Sequence, residues 1–192
     1  DVSLTAVNLP SLAGDVVELM QGRAVDKGVR CDIELDTGVP ARVLADAGKI
    51  RQVLINLLSN GIKFTSRGHV LLRIGSHIER QNQYQITFAV EDTGIGVAKE
   101  MQQQIFMAFT QVAGMNSATG TGLGLAICDR LVTAMGGQLT MESEAGCGSC
   151  FSFSLMLDSA PPADAPEKQE TPLKICANGD QLRVLIVEDN EI

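Results

Sequence analysis

Tryptophan is absent, tyrosine occurs once, at Tyr84, and aromatic residues make up 4% of the 192-residue chain. So few ring faces exclude a protein that grips bases by serial stacking. Basic charge is also scarce: 15 Lys and Arg stand against 23 Asp and Glu, for a net charge of −8. Coating nucleic acid or an anionic membrane needs a basic footprint, so neither is an expected partner. No apolar run approaches the roughly 20 residues that span a bilayer, and the start, DVSLTAVNLP, has no basic stretch followed by an apolar one. The chain therefore reads as soluble and cytoplasmic. Five cysteines (Cys31, Cys128, Cys147, Cys150 and Cys176) are odd in number and scattered, which argues against a disulfide framework and for a reducing compartment.

What is present suits one core, or one core plus a fragment, since domains most often run about 100–150 residues. The charge is uneven. Residues 1–80 carry ten Lys and Arg against nine acidic residues, and residues 81–192 carry five against fourteen. Alternation predicts strands at 4–9, 29–36, 42–45, 69–78, 84–91, 138–143 and 150–157. Pro10 opens a helical pattern to about Lys27. Asp46 caps a second helix, 47–62, whose Ile50, Val53, Leu54, Leu57, Leu58 and Ile62 form one apolar stripe. Further helices are expected near 98–107 and 122–135, the latter stopping at Gly136 and Gly137. This order gives an α+β fold, a two-layer α/β sandwich with helices on one face of a mixed sheet. Residues 158–181 hold four of the six prolines and read as an exposed linker. LRVLIVEDNEI, 182–192, begins an apolar parallel-type strand.

Three features carry chemistry. Gln52, Asn56 and Asn60 recur at i, i+4 on the second helix, followed by Lys63. A solvated face would favour Lys and Glu, whereas an amide row suits metal and phosphate oxygens. Asp92, Gly94 and Gly96, in DTGIG, close a strand; the carboxylate can accept from an exocyclic amine while the glycines let backbone approach a planar ring. Residues 120–124 (Gly120, Thr121, Gly122, Leu123 and Gly124) lead into a helix, where unpaired N–H groups and the helix dipole favour an anion. This segment matches neither a dinucleotide-binding fingerprint nor a P-loop.

Taken in order, NLLSNGIKFT (56–65), DTGIG (92–96), IFMAF with Phe106 and Phe109, GTGLGL (120–125) and GCGSCF (146–151) resemble the asparagine, phenylalanine and three glycine boxes of the ATP-binding catalytic domain of sensor histidine kinases. That family lies within the wider group that includes DNA gyrase B and MutL. LRVLIVEDNEI resembles the first strand and acidic pair of a receiver domain, so the parent is similar to a hybrid histidine kinase in which Glu188 and Asp189 match the acidic pair. The resemblance implies a Bergerat-type catalytic domain over 1–157, the linker 158–181 and a receiver start at 182–192. It implies Mg²⁺ and ATP as cofactors, with the γ-phosphoryl group passed to a histidine on a dimerisation helix. Asn60 would be the main Mg²⁺ ligand, supported by Asn56 and Gln52. Lys63 would contact phosphate, Asp92 would accept from the adenine amine, Gly94 and Gly96 would shape the base pocket, and Gly122 and Gly124 would open backbone amides to the triphosphate. Hydrolysing relatives carry a Glu general base where Asn56 stands, and an amide cannot take a proton from water. The expected partners are the parent's own dimerisation and receiver domains, or another sensor kinase, in a membrane-bound sensor.

Two departures stand out. His69 and His77 lie in strand patterns and lack the H-E-x-R-T-P setting of the family's phosphoacceptor. Between Lys99 and Arg130 there is no Lys or Arg, where related kinases often carry basic lid residues. One lost charge-assisted contact costs about 1.5–3 kcal/mol, so a degenerate domain serving as a regulatory interaction module is the alternative reading. Cys147 and Cys150 fall in a turn with no further zinc ligands at suitable spacing, and read as part of the third glycine box.

Overall fold

Asn8 starts the first helix: its side chain accepts the Ser11 N–H at 2.9 Å, and Pro10, which lacks an N–H, costs nothing in the first turn. A computed structural model describes residues 2–102, 104–106 and 123–161. In chain order the elements are β1 (Thr5–Asn8), α1 (Leu9–Lys27), β2 (Val29–Leu35), β3 (Arg42–Ala45), α2 (Ala47–Phe64), β4 (Gly68–Arg80), β5 (Gln83–Asp92), α3 (Gly124–Ala134), β6 (Leu139–Glu144) and β7 (Gly148–Asp158). A five-stranded mixed sheet runs β2-β4-β5-β7-β6, with β2 parallel to β4 and the other pairs antiparallel. The helices cover one face, which is the expected two-layer sandwich. β1 and β3 form a separate antiparallel pair, joined to the end of β7 by a bridge from Val43 to Ser159.

Strand parity places the core. Val70, Leu72 and Ile74 of β4, Ile86, Phe88 and Val90 of β5, and Phe151, Phe153 and Leu155 of β7 point to the helices and are buried. Phe88 and Phe153, opposite each other in register, stack at 4.8 Å. The stripe of α2 fills the space above them, every member at or below 4% exposure. Each such side chain contributes about 1.5–3 kcal/mol on burial.

Asp46 fixes where α2 begins. It is 8% exposed, accepts the Lys49 N–H on one oxygen and the Ser3 N–H and Lys49 ammonium on the other, at 3.0, 3.0 and 2.7 Å. The Lys49 side chain, then the Ser3 and Lys49 amides, hold its carboxyl well below the usual carboxylate range. A depressed folded-state value means stability that is present above the unfolded value near 4 and lost as pH falls below it. Asp46→Ala is expected to cost about 1–2 kcal/mol at neutral pH in denaturant unfolding and to flatten the acid limb of the stability profile.

Two elements differ from the sequence expectation. The single helix expected near 98–107 is a pair of 3₁₀ turns, Lys99–Met101 and Gln104–Phe106. The segment has no continuous apolar stripe, and its backbone closes i→i+3, as in Met101 N–H to Ala98 O. The β4–β5 hairpin is tighter than expected, because both strands run on until only Gln81 and Asn82 separate Arg80 from Gln83. Asn82 takes the left-handed φ of 66° that such a turn needs. Phe109, Gly120, Thr121, Gly122, Cys176 and the segment 182–192 lie outside the described residues.

Candidate nucleotide site

Asp92 is the last residue of β5, on the helix-facing side, half-buried. One carboxylate oxygen accepts the Gly94 N–H at 2.8 Å, and Ser149, opposite it on β7, donates through both its N–H and its hydroxyl. Burial raises the Asp92 carboxyl above its ordinary value, and these hydrogen bonds from Gly94 and Ser149 oppose the shift. A half-buried carboxylate has lone pairs beyond those that take the Gly94 and Ser149 donors, which suits it to an incoming amine.

The two glycines of the loop after Asp92 have no room for a side chain. A Cβ on Gly94 would come within 2.6 Å of the Phe64 carbonyl oxygen, and one on Gly96 within 2.0 Å of the Glu144 carbonyl oxygen. Gly96 also has φ of 64°, the left-handed region. Gly96→Ala is therefore expected to cost at least about 1–2 kcal/mol in unfolding free energy from backbone strain alone, and to displace the loop from the β6–β7 turn.

The α2 amides meet the start of α3. A Cβ on Gly124 would lie 3.9 Å from Asn60 Nδ2 and 4.0 Å from Asn56 Oδ1, ordinary contact distance, so both amides stand beside the first residue of α3. Asn56 and Asn60 are half-buried, whereas Gln52, one turn earlier, and Lys63 are exposed. The Lys63 ammonium stands 4.9 Å from the Phe64 ring centre. Leu123 precedes α3 and is partly buried. Cys128, fully buried on α3, faces the same helix: its thiol donates to the Val53 carbonyl at 3.9 Å, and burial pushes it up to about 11 against the opposing influence of the Asn56 side chain.

Gly61 links the two halves, for it packs against Val70 and the Asp92 side chain while its neighbour Asn60 faces Gly124. Next to Phe64, the Thr65 hydroxyl is fully buried and has no hydrogen-bond partner among the described residues. Sequence reasoning assigned no role to Ser149, Cys128 or Ser143. The available signal was polarity at inward strand positions that are otherwise apolar: 143 on β6 and 149 on β7.

A mixed sheet under helices, with a carboxylate and glycine loop ending its central strand and an amide row on the helix above, defines a Bergerat-type sandwich. Residues 45–159 match the model of the histidine kinase-, DNA gyrase B-, and HSP90-like ATPase family, and the chain belongs to that family. It is 36% identical over 191 residues to the aerobic respiration control sensor protein ArcB of Escherichia coli K12, covering 97% of this chain and 23% of that protein. It is 40% identical over 186 residues to the sensor histidine kinase AruS of Pseudomonas aeruginosa, covering 95% of this chain and 18% of that protein. The chain thus spans less than a quarter of these relatives. Full-length ShkA in complex with AMPPNP superposes with a TM-score of 0.73 and 38% identity, over 84% of this chain and 33% of that one. The nucleotide-free catalytic domain of the histidine kinase ThkA superposes at 0.61 and 28% identity, over 80% of this chain and 95% of that one. Among the described residues no helix is long and apolar enough to cross a membrane.

Proposed function

We propose that this chain binds Mg·ATP between α2, α3 and the glycine loop, and that within a longer hybrid kinase it delivers the γ-phosphoryl group to a histidine on a dimerisation helix. The observation that carries the reading is the placement of Gly61 and Asn60: one residue meets Asp92, the next meets the N-terminus of α3. A ligand with a base at one end and phosphates at the other would engage both. Asp92 accepts from the adenine amine, Gly94 and Gly96 admit the ring, and Leu123 and Gly124, with Gly120, Thr121 and Gly122 before them, offer backbone amides to the phosphates. AMPPNP in full-length ShkA supports the nucleotide class.

Asn60, Asn56 and Gln52 would hold Mg²⁺. The donor chemistry fits, because a hard cation takes neutral amide oxygens together with substrate phosphates, and Asn56 and Asn60 converge beside α3. When bound, the metal neutralises charge on the phosphates. Lys63 adds a point charge, and its stacking on Phe64 restrains it at the end of α2. No residue in this row can deprotonate water, which suits transfer to a side chain over hydrolysis. The parent's dimerisation and receiver domains are the partners, with the linker beginning only after β7 and its Ser159 bridge rather than at 158 and running to 181, and 182–192 as the start of the receiver. ArcB and AruS are named as sensors, which supports a sensory parent; its membrane association, with this part on the cytoplasmic side, belongs to the same proposal.

Incubating the longer protein, with its own acceptor helix, with γ-labelled ATP tests the transfer step: label on histidine supports it, and its absence while nucleotide still binds overturns it. The second reading, a regulatory module that docks on another sensor kinase, draws on the lack of Lys and Arg between Lys99 and Arg130. It predicts weak or no nucleotide binding and no label on histidine.

A further inference from the structure

Asp92, Ser149 and Ser143 form one lateral row across β5, β7 and β6: Asp92 pairs with Ser149 in the register of the first two strands, and Ser149 with Ser143 in that of the last two. Strand parity turns all three towards the helices, where the neighbouring inward positions, Met141 and Phe151, are apolar. A hydroxyl pair in such a row needs a purpose beyond packing.

The Ser143 hydroxyl accepts the Val97 N–H at 2.8 Å, which leaves its own proton for the Ser149 hydroxyl at 3.1 Å or the Gly148 carbonyl at 2.8 Å. Ser149 in turn donates to Asp92. When the Ser143 proton points to Ser149, hydrogen bonds run in one direction, from the backbone just after the glycine loop, through two hydroxyls, to the carboxylate; when it points to the Gly148 carbonyl it closes the β6–β7 turn instead. Gln102 fastens the same joint from the other side, giving its amide to the Val97 carbonyl at 3.1 Å and the Ser143 carbonyl at 2.9 Å. The Gly146 N–H to Ile95 carbonyl bond, 2.7 Å, completes the seam between loop and hairpin.

We propose that Ser143 is a positioning residue for base selection: by holding Val97 and orienting the Ser149 hydroxyl onto Asp92, it fixes which Asp92 lone pairs face an incoming base. This rests on the reading above that Asp92 receives the exocyclic amine. Without the Ser143 hydroxyl the Val97 N–H loses its acceptor and Ser149 a donor, so the Ser149 hydroxyl can rotate off Asp92 and the carboxylate is held by the Gly94 and Ser149 backbone N–H groups alone. The consequence is specific to a base bearing an amine. An inosine nucleotide presents a carbonyl at that position, gains nothing from an oriented carboxylate, and is indifferent to the change.

The test is calorimetric titration of wild type, Ser143→Ala and Ser143→Thr with Mg·ADP and Mg·IDP. Thr retains the hydroxyl and suits a strand, so it controls for packing. The expected result is a wild-type preference for ADP, a fall in ADP affinity of roughly fivefold to tenfold in Ser143→Ala, IDP affinity changed less than about twofold on the same scale, and ADP preference restored in Ser143→Thr. Equal losses for ADP and IDP in Ser143→Ala, or unchanged ADP affinity, would overturn the proposal while leaving the nucleotide reading intact. A wild-type chain that binds neither nucleotide overturns both. Should Ser143→Ala fail to fold, Ser143→Thr still decides: loss of ADP preference in a folded Thr variant contradicts a role carried by the hydroxyl.

Discussion

Asp92→Asn is expected to weaken ATP, ADP and AMP alike, by about tenfold or more, which is the scale of one hydrogen bond to a charged group. Asn matches Asp in shape but replaces one acceptor oxygen with a donor NH₂. Around Asp92 the fixed partners are already donors: the Gly94 N–H at 2.8 Å, and the Ser149 N–H and hydroxyl. Whichever way the amide turns, a donor faces a donor, either within the protein or against the adenine amine. The loss falls on the base end, so it is the same for one, two or three phosphates and does not depend on Mg²⁺. Folding should survive. Burial already disfavours the ionised carboxyl, so removing the charge relieves a desolvation cost that partly offsets the weakened hydrogen bonds. Thermal unfolding near wild type, together with lost nucleotide heat, is the expected pair of readings.

Asn60→Ala should act at the other end. It removes an amide that lies beside the start of α3 and the Asn56 side chain, in the interior of α2, where Ala is the better helix former by up to about 0.7 kcal/mol. The helix is therefore retained or gains slightly. In excess Mg²⁺ the variant should lose about tenfold or more in ATP affinity; in chelator, where the metal contributes nothing, it should match wild type. A titration series across Mg²⁺ concentrations separates the cases. If Asn60→Ala and Asp92→Asn give equal, small, Mg²⁺-independent effects, the two ends of the site have been misassigned.

Much of the architecture was legible because it is written in local signals. The α2 stripe and its Asp46 cap are adjacent in sequence, and the structure places both as expected. The Gly136 stop of α3 and the alternation of β5 and β7 are equally local. What escaped the sequence depends on partners far along the chain. Nothing near residues 5–8 announces that they pair with 42–45 in a sheet of their own. Alternation also ends a strand too early: β4 runs on through Glu79 and Arg80, since a backbone ladder needs no apolar side chains where one face meets solvent. The expected helix after Val97 yields to 3₁₀ turns where Gln102 bonds back to Val97 and across to Ser143. At the site, Asp92, Gly94 and Gly96 are readable as a strand end with a glycine loop, and Asn56 and Asn60 as a helical row. The row of Ser143, Ser149 and Asp92 is not, because it exists only once three strands are in register.

The measurement that bears most directly on the account is titration calorimetry of this chain with Mg·ADP, run beside Asp92→Asn. Saturable heat for wild type that is weakened about tenfold or more in the variant is predicted. No heat for wild type at millimolar nucleotide, or the same affinity for both proteins, would contradict it.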